Sequence, residues 1–154
     1  MSLSPTDLEF LQDHHAAAMI TVAPDGVADV AGAAGPAGAA KAVRVGVALV
    51  DGKLWSSGTA DRIRTRRLRE DPRCTLFVFD PGFAWRTLET TVTILDGPDA
   101  PQLNLELFRR MQGRPTGPLS WFGSELEEED FLRTMVEEQR VIYEFEVQRS
   151  YGLP

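Results

Sequence analysis

The sequence predicts a mostly β fold, an antiparallel barrel with flanking helices, in a single domain over residues 1–154. Three observations carry this. Apolar stretches of strand length are joined by hairpin signals, Asp51-Gly52 above all. Near the end of the chain Val141, Tyr143, Phe145 and Val147 alternate with Glu144, Glu146 and Gln148, the period-two pattern of a half-buried strand. The stretches also come in runs, without the strand–helix alternation that a doubly wound parallel sheet needs.

Each element follows from local signals. Ser4-Pro5-Thr6-Asp7 reads as a helix start, with a serine cap, a proline in the first turn and an acid three residues after the cap. That helix is expected to end near His14-His15. Residues 16–23 form a strand, Pro24-Asp25-Gly26 a turn, and a second strand starts near Val27. Residues 31–42 are almost all Ala and Gly, the composition of a loop or a weak strand. Residues 43–50 and 53–57 are strands flanking Asp51-Gly52, and 61–70 are a short helix closed by Asp71-Pro72. Residues 73–80 carry apolar groups on both faces and are expected to be buried. Pro81-Gly82 turns the chain into a long strand over 85–96. Helices follow over 101–111 and 124–138, the second with a capping box in Ser124 and Glu127 and acids at its positive end. Residues 113–123 are rich in Gly and Pro. About seven strands result.

Composition narrows the function. Hydrophobic residues make up 43% and charged residues 25%, a globular balance. No apolar run approaches the roughly 20 residues of a membrane span, and no basic-then-apolar segment opens the chain, so the expected compartment is the cytosol. The single cysteine, Cys74, sits in a two-faced apolar strand and reads as an inert core residue. A net charge of −7 argues against general nucleic-acid binding. The average hides a split, because arginines crowd between Arg62 and Arg73 while acids dominate after residue 97.

That arginine-rich segment is the most informative. A strand ends in Ser56, Ser57 and Thr59, and the helix that follows carries Arg62, Arg64, Arg66, Arg67 and Arg69. Hydroxyls, free amides at a helix N-terminus and guanidinium groups together suit a phosphate ester. On a 3.6-residue period Arg62, Arg66 and Arg69 share one stripe and Arg64 and Arg67 a second. The two stripes cannot face one phosphate; one binds a ligand and the other faces water or a partner subunit, or else the whole pattern is a solvated basic face. His14-His15 are adjacent on a helix and point about 100° apart, which does not chelate a metal, and no metal site is expected. Trp121-Phe122 either lines a planar ligand or plugs the core. No protein acid or base stands out as catalytic.

Read together, these parts resemble the pyridoxamine 5′-phosphate oxidase-like family of split β-barrel flavin-binding proteins, and within it the branch that uses the deazaflavin coenzyme F420. The stations are Phe10-Leu11-x-x-His14-His15, Pro24-Asp25-Gly26, Asp51-Gly52-x-Leu54-Trp55, the helix running into Asp71-Pro72-Arg73, Trp85-Arg86-x-Leu88-Glu89, and the last strand running into Ser150-Tyr151-Gly152. The resemblance covers residues 6–97 and 139–152 and implies a split antiparallel barrel of the FMN-binding type. On the family's Ser-x-Lys-x-x-Asn-Leu helix pattern, Arg64 falls on the phosphate-binding lysine, Arg62 on the serine and Arg67 on the asparagine, with Ser57 and Thr59 as hydroxyl partners. The family runs directly from its second strand to its third, whereas residues 31–42 intervene here.

The resemblance implies an oxidoreductase that binds coenzyme F420, or alternatively FMN, and passes hydride to a small unsaturated or electron-poor molecule. A barrel that holds a cofactor or other anion without turnover is the remaining alternative. A homodimer with the cofactor at its interface is implied. Phe77, Val78 and Phe79 support that assembly, because they put apolar groups on both faces of one strand and one face needs a cover.

Overall fold

The computed structural model describes residues 3–22 and 38–153. The elements are helix α1 (Pro5–Asp13), strands β1 (Ala16–Val22), β2 (Ala40–Gly46), β3 (Ala48–Val50) and β4 (Lys53–Thr59), helix α2 (Ile63–Glu70), strands β5 (Arg73–Phe79) and β6 (Trp85–Leu95), helix α3 (Ala100–Gln112), strands β7 (Leu119–Trp121) and β8 (Ser124–Leu126), helix α4 (Glu128–Glu137) and strand β9 (Arg140–Leu153). The Pro24-Asp25-Gly26 turn and the strand expected near Val27 lie outside the described residues, as do residues 31–37 of the Ala/Gly stretch.

Seven strands form one antiparallel sheet in the order β2-β1-β5-β6-β9-β4-β3. Its two edge strands, β2 and β3, are separated in the chain by a single residue, Val47. The sheet therefore curls until its edges nearly meet, and a mostly β half-barrel with flanking helices results. The strand expected over 43–50 is thus two strands. Val47 marks the corner: its N–H donates to the His15 carbonyl at 2.8 Å, after which β2 pairs with β1 and β3 with β4. A bulge at Glu89/Thr90 interrupts the long β6–β9 ladder, and such a bulge locally increases the bend.

The burial follows the alternation. Tyr143, Phe145 and Val147 of β9, Leu76 and Val78 of β5, Leu88 of β6 and Met19 of β1 fill the concave side, joined by Phe10 and Leu11 of α1 and Leu68 of α2. Ile142 faces the opposite way and packs with Trp55, Val50 and Leu107 under α3. A third cluster joins α3, α4 and the β7–β8 hairpin through Leu105, Leu119, Phe131 and Met135.

One expected helix start is corrected. Ser124 does not cap a helix; it pairs with Trp121 in the β7–β8 hairpin, and α4 begins after Glu127 without a side-chain cap. Leu119 and Leu126 stand opposite each other in that hairpin and pack on the α3–α4 cluster, which outweighs a local cap worth about 1 kcal/mol. The serine cap on α1 forms as expected: Asp7 N–H donates to Ser4 Oγ at 3.1 Å, and the Asp7 carboxylate accepts from the Ser4 N–H at 3.0 Å.

Candidate functional site

Helix α2 follows β4 after three residues, and its helical period decides which arginines meet the barrel. Arg64, Thr65, Arg67 and Leu68 are buried, while Arg66 and Arg69 are exposed. The outward arginines have partners: Arg69 Nη2 lies 3.1 Å from Asp96 Oδ2, and Arg66 Nη2 donates to the Asp61 carbonyl at 3.2 Å. The inward pair has no hydrogen bond or ion pair among the described residues. Arg64 is 8% and Arg67 3% exposed, yet Arg64 Nε and Arg67 Nε and Nη1 are buried without a hydrogen-bond partner among the described residues. Residues three apart on a helix lie on one face, about 5–6 Å apart at Cβ, so the two arginines leave α2 on the same buried side. An unpaired buried charge costs about several kcal/mol, and an anion bound there would offset that cost.

The first turn of α2 adds to the positive field. It holds no acid, and its N-cap residue, Arg62, makes no side-chain cap. Arg62 Nε donates instead to Thr59 Oγ1 at 3.1 Å. Burial, together with the positive charges of Arg64 and Arg140, lowers the guanidinium pKa of Arg62 from its ordinary value. Arg140 is itself neutralised by Glu138 at 2.8 Å and lies over the Trp121 ring at 5.1 Å.

Of the five residues singled out in the sequence, the structure brings Arg64 and Arg67 onto one buried face and pairs Arg62 with Thr59 at its rim. Ser57 points elsewhere. It stands opposite Ile142 in the β4–β9 ladder and shares that residue's face, under α3. There its hydroxyl donates to Asn104 Oδ1 at 2.5 Å, while Asn104 Nδ2 donates to the Ala100 carbonyl at 2.9 Å. The Ser57 hydroxyl is thus bonded inside the α3 packing, away from the face that carries Arg64 and Arg67.

Two residues were missed in the sequence, Thr65 and Tyr143. Thr65 Oγ1 donates to the Thr59 carbonyl at 2.7 Å and contacts the Tyr143 hydroxyl. The Arg64 guanidinium lies over the Tyr143 ring, 5.8 Å from its centroid. The alternation of β9 already pointed Tyr143 inward, but only the β4–β9 ladder and the seat of α2 set it beside Arg64.

His14 and His15 have structural partners. His14 Nδ1 donates to the Phe10 carbonyl at 2.7 Å, and its ring stacks on Phe10 with centroids 4.1 Å apart. His15 Nδ1 donates to the Val47 carbonyl at 2.9 Å, at the corner between β2 and β3. Among the described residues no group of three or more His, Cys, Asp or Glu is placed to hold a metal ion, and no helix is long and apolar enough to cross a membrane. Burial pushes the Cys74 thiol up to about 12, which leaves it protonated at neutral pH. Trp121 packs edge-on against Phe108 and Phe131, while the hairpin tip leaves Phe122 85% exposed.

No protein-family model and no curated protein matches the sequence. Solved structures do match in fold. A conserved hypothetical protein, Rv2991, from Mycobacterium tuberculosis superposes with a TM-score of 0.69 at 17% identity, covering 99% of this chain and 85% of that one. An F420 reductase superposes with a TM-score of 0.61 at 17% identity, covering 96% and 98%. A putative pyridoxamine 5′-phosphate oxidase from Listeria innocua gives 0.59 at 14% identity, covering 95% and 94%. At such identities the likeness is one of fold: this chain has the mostly β split-barrel architecture of these proteins along nearly its whole length.

Proposed function

We propose that the chain is an oxidoreductase that binds a flavin-type cofactor, coenzyme F420 in the first reading, through an anionic group held by Arg64 and Arg67. The observation that carries this is the pair of buried guanidinium groups without a hydrogen bond or carboxylate among the described residues, on a fold shared with an F420 reductase and a putative pyridoxamine 5′-phosphate oxidase. The residues fit a phosphate. Two guanidinium groups and the free amides of the first α2 turn offer donors of the right charge, and two neighbouring carboxylates are already committed, Asp96 to Arg69 and Glu138 to Arg140. The exposed stripe supports the deazaflavin, because Arg62 and Arg66 can meet the further carboxylates of a long anionic tail. The second reading is FMN, favoured by charge: two unpaired buried cations balance a phosphate monoester dianion. When bound, the cofactor would carry the hydride; the chain's own part is to hold the anion, exclude water and orient a small electron-poor substrate. The cytosol remains the expected compartment.

Titration of the purified protein with F420 and with FMN, followed by fluorescence and calorimetry, tests the reading. Saturable binding of one, lost in Arg64→Ala, supports it; binding of neither moves the chain to the non-catalytic alternative.

The same reading takes a homodimer. Phe77 stacks with Phe79 and Trp85 at centroid distances of 5.8 and 5.6 Å, and Tyr151 packs edge-on to Trp85. These rings lie on the convex side of β5, β6 and β9, near Phe83, which is 90% exposed. Aromatic surface of this kind favours a protein interface. A sedimentation mass of twice 17.0 kDa is expected; a mass near 17.0 kDa at micromolar concentration sinks the dimer.

A further inference from the structure

We propose that Tyr143 is a positioning residue for the anion site, acting through Arg64; this rests on the reading that Arg64 and Arg67 hold an anionic ligand. The inference comes from accounting for two protons. Thr65 Oγ1 has one, and it is spent on the Thr59 carbonyl at 2.7 Å, a group that can only accept. The contact between the Thr65 and Tyr143 hydroxyls therefore has one possible direction, with Tyr143 donating. A chain of hydrogen bonds runs from Tyr143 through Thr65 to Thr59, and it ties the first turn of α2 to the ends of β9 and β4.

The ring is held as tightly as its hydroxyl. Gly58 lies under it: a Cβ at that position would overlap the outer end of the Tyr143 side chain. The phenol is thus seated on bare backbone, pinned at its tip by Thr65, and presents a face to the Arg64 guanidinium at 5.8 Å. A ring face attracts a guanidinium through its quadrupole and brings no carboxylate to cancel the charge. Arg64 is in that condition: it is buried, its Cζ lies over the Tyr143 ring, and its Nε has no acceptor among the described residues. A carboxylate in place of Tyr143 would hold the arginine equally well but would consume the donors and cancel the charge. Tyr143 fixes the arginine in place and leaves its donors and its charge available to a ligand.

A double-mutant cycle in the full chain tests this, with FMN and F420 as probes and affinity as the readout. Tyr143→Phe keeps the ring and removes only the hydroxyl. The expected result is a five- to tenfold loss of affinity, of the size of one lost hydrogen bond, which shrinks below about twofold when Arg64 is already alanine. Thr65→Val breaks the same chain from the other end and is expected to match Tyr143→Phe, with Thr65→Ser restoring affinity; these two variants carry the test if Tyr143→Phe does not fold. Equal losses with and without Arg64 overturn the positioning role, since a general loosening of the barrel would not depend on that arginine. Unchanged affinity in Tyr143→Phe and Thr65→Val, with binding lost in Arg64→Ala, also overturns it and leaves the anion site standing. A wild type that binds neither probe removes the anion site and the positioning role together.

Discussion

Three arginines are buried in this barrel, and they differ in one respect. Arg86, on β6, is 9% exposed and donates through Nε and Nη2 to Asp7 Oδ1 at 3.0 and 2.7 Å. The other oxygen of Asp7 accepts from Ser4 and from Ser150, each hydroxyl at 2.8 Å. Every charge in that cluster is answered from within the chain. Arg64 and Arg67 are as deeply buried, and among the described residues no carboxylate answers them. The difference separates a guanidinium bonded within the fold from two whose buried nitrogens have no hydrogen-bond partner among the described residues. An internal ion pair with its remaining lone pairs satisfied ties α1 to β6 and β9, whereas two buried guanidinium groups without a carboxylate partner among the described residues leave a desolvation cost that nothing described offsets.

The contrast makes its largest prediction in stability. Arg86→Ala leaves the Asp7 carboxylate buried without its cation and is expected to cost about 3–5 kcal/mol, read as a lowered midpoint in urea. Arg64→Met and Arg67→Met, which remove unpaired charges, are expected to leave the ligand-free protein unchanged or stabilise it by about 1–2 kcal/mol. If all three variants lose stability equally, the two kinds of arginine are not distinct. Cys74, 4% exposed, offers a second measurement, because its thiol reacts only when the core opens: labelling is expected to speed up in Arg86→Ala and not in Arg64→Met.

In binding the order reverses. Arg64→Ala is expected to cost about 2–4 kcal/mol of affinity for the cofactor, roughly 30- to 1000-fold, as a charge-assisted bond in a partly dry site would. Arg69→Ala, on the exposed stripe and paired with Asp96, removes the same charge and is expected to change affinity by less than about threefold. Calorimetric titration of both variants checks this, and equal losses would mean diffuse attraction in place of a clamp.

A smaller effect is expected with pH. Burial pushes the Asp7 carboxyl up, but hydrogen bonds from Ser150, from the backbone and hydroxyl of Ser4 and from Arg86 outweigh it, so its pKa in the fold lies below the ordinary carboxylate value. Above the unfolded value, near 3.8, its contribution to stability is fully present, and it is lost as pH falls through the lower folded value. Acid titration of the wild type is therefore expected to show stability falling below about pH 4, with a shallower fall in Asp7→Asn. Identical acid profiles would show that this cluster does not report on the ion pair.

Much of this molecule was legible in the sequence. The α1 cap, the alternation of β9 and the division of the α2 arginines into two stripes depend on residues within one or two turns of each other, where the periods of helix and strand act directly. Contacts between distant segments were not legible. The run over 43–50 reads as one strand because nothing local reveals that Val47 turns the chain from one edge of the sheet to the other. Ser124 and Glu127 have the spacing of a cap, yet the apolar residues of the hairpin find a better surface on α3 and α4. Ser57 has the hydroxyl chemistry that suits a phosphate, and its parity on β4, which only the ladder reveals, sends it under α3 to Asn104.

The sequence by itself therefore determined the mostly β class, the order of most elements and the presence of a basic helix with two faces, since each rests on local period and composition. Only the tertiary structure decided which face turns inward, that Asp96 and Glu138 are paired with other arginines, and that Tyr143, from a strand nearly 80 residues away, sets its ring below the Arg64 guanidinium. Those outcomes depend on which distant groups share a low-dielectric space, and burial and pairing are settled there by the packing of the whole chain.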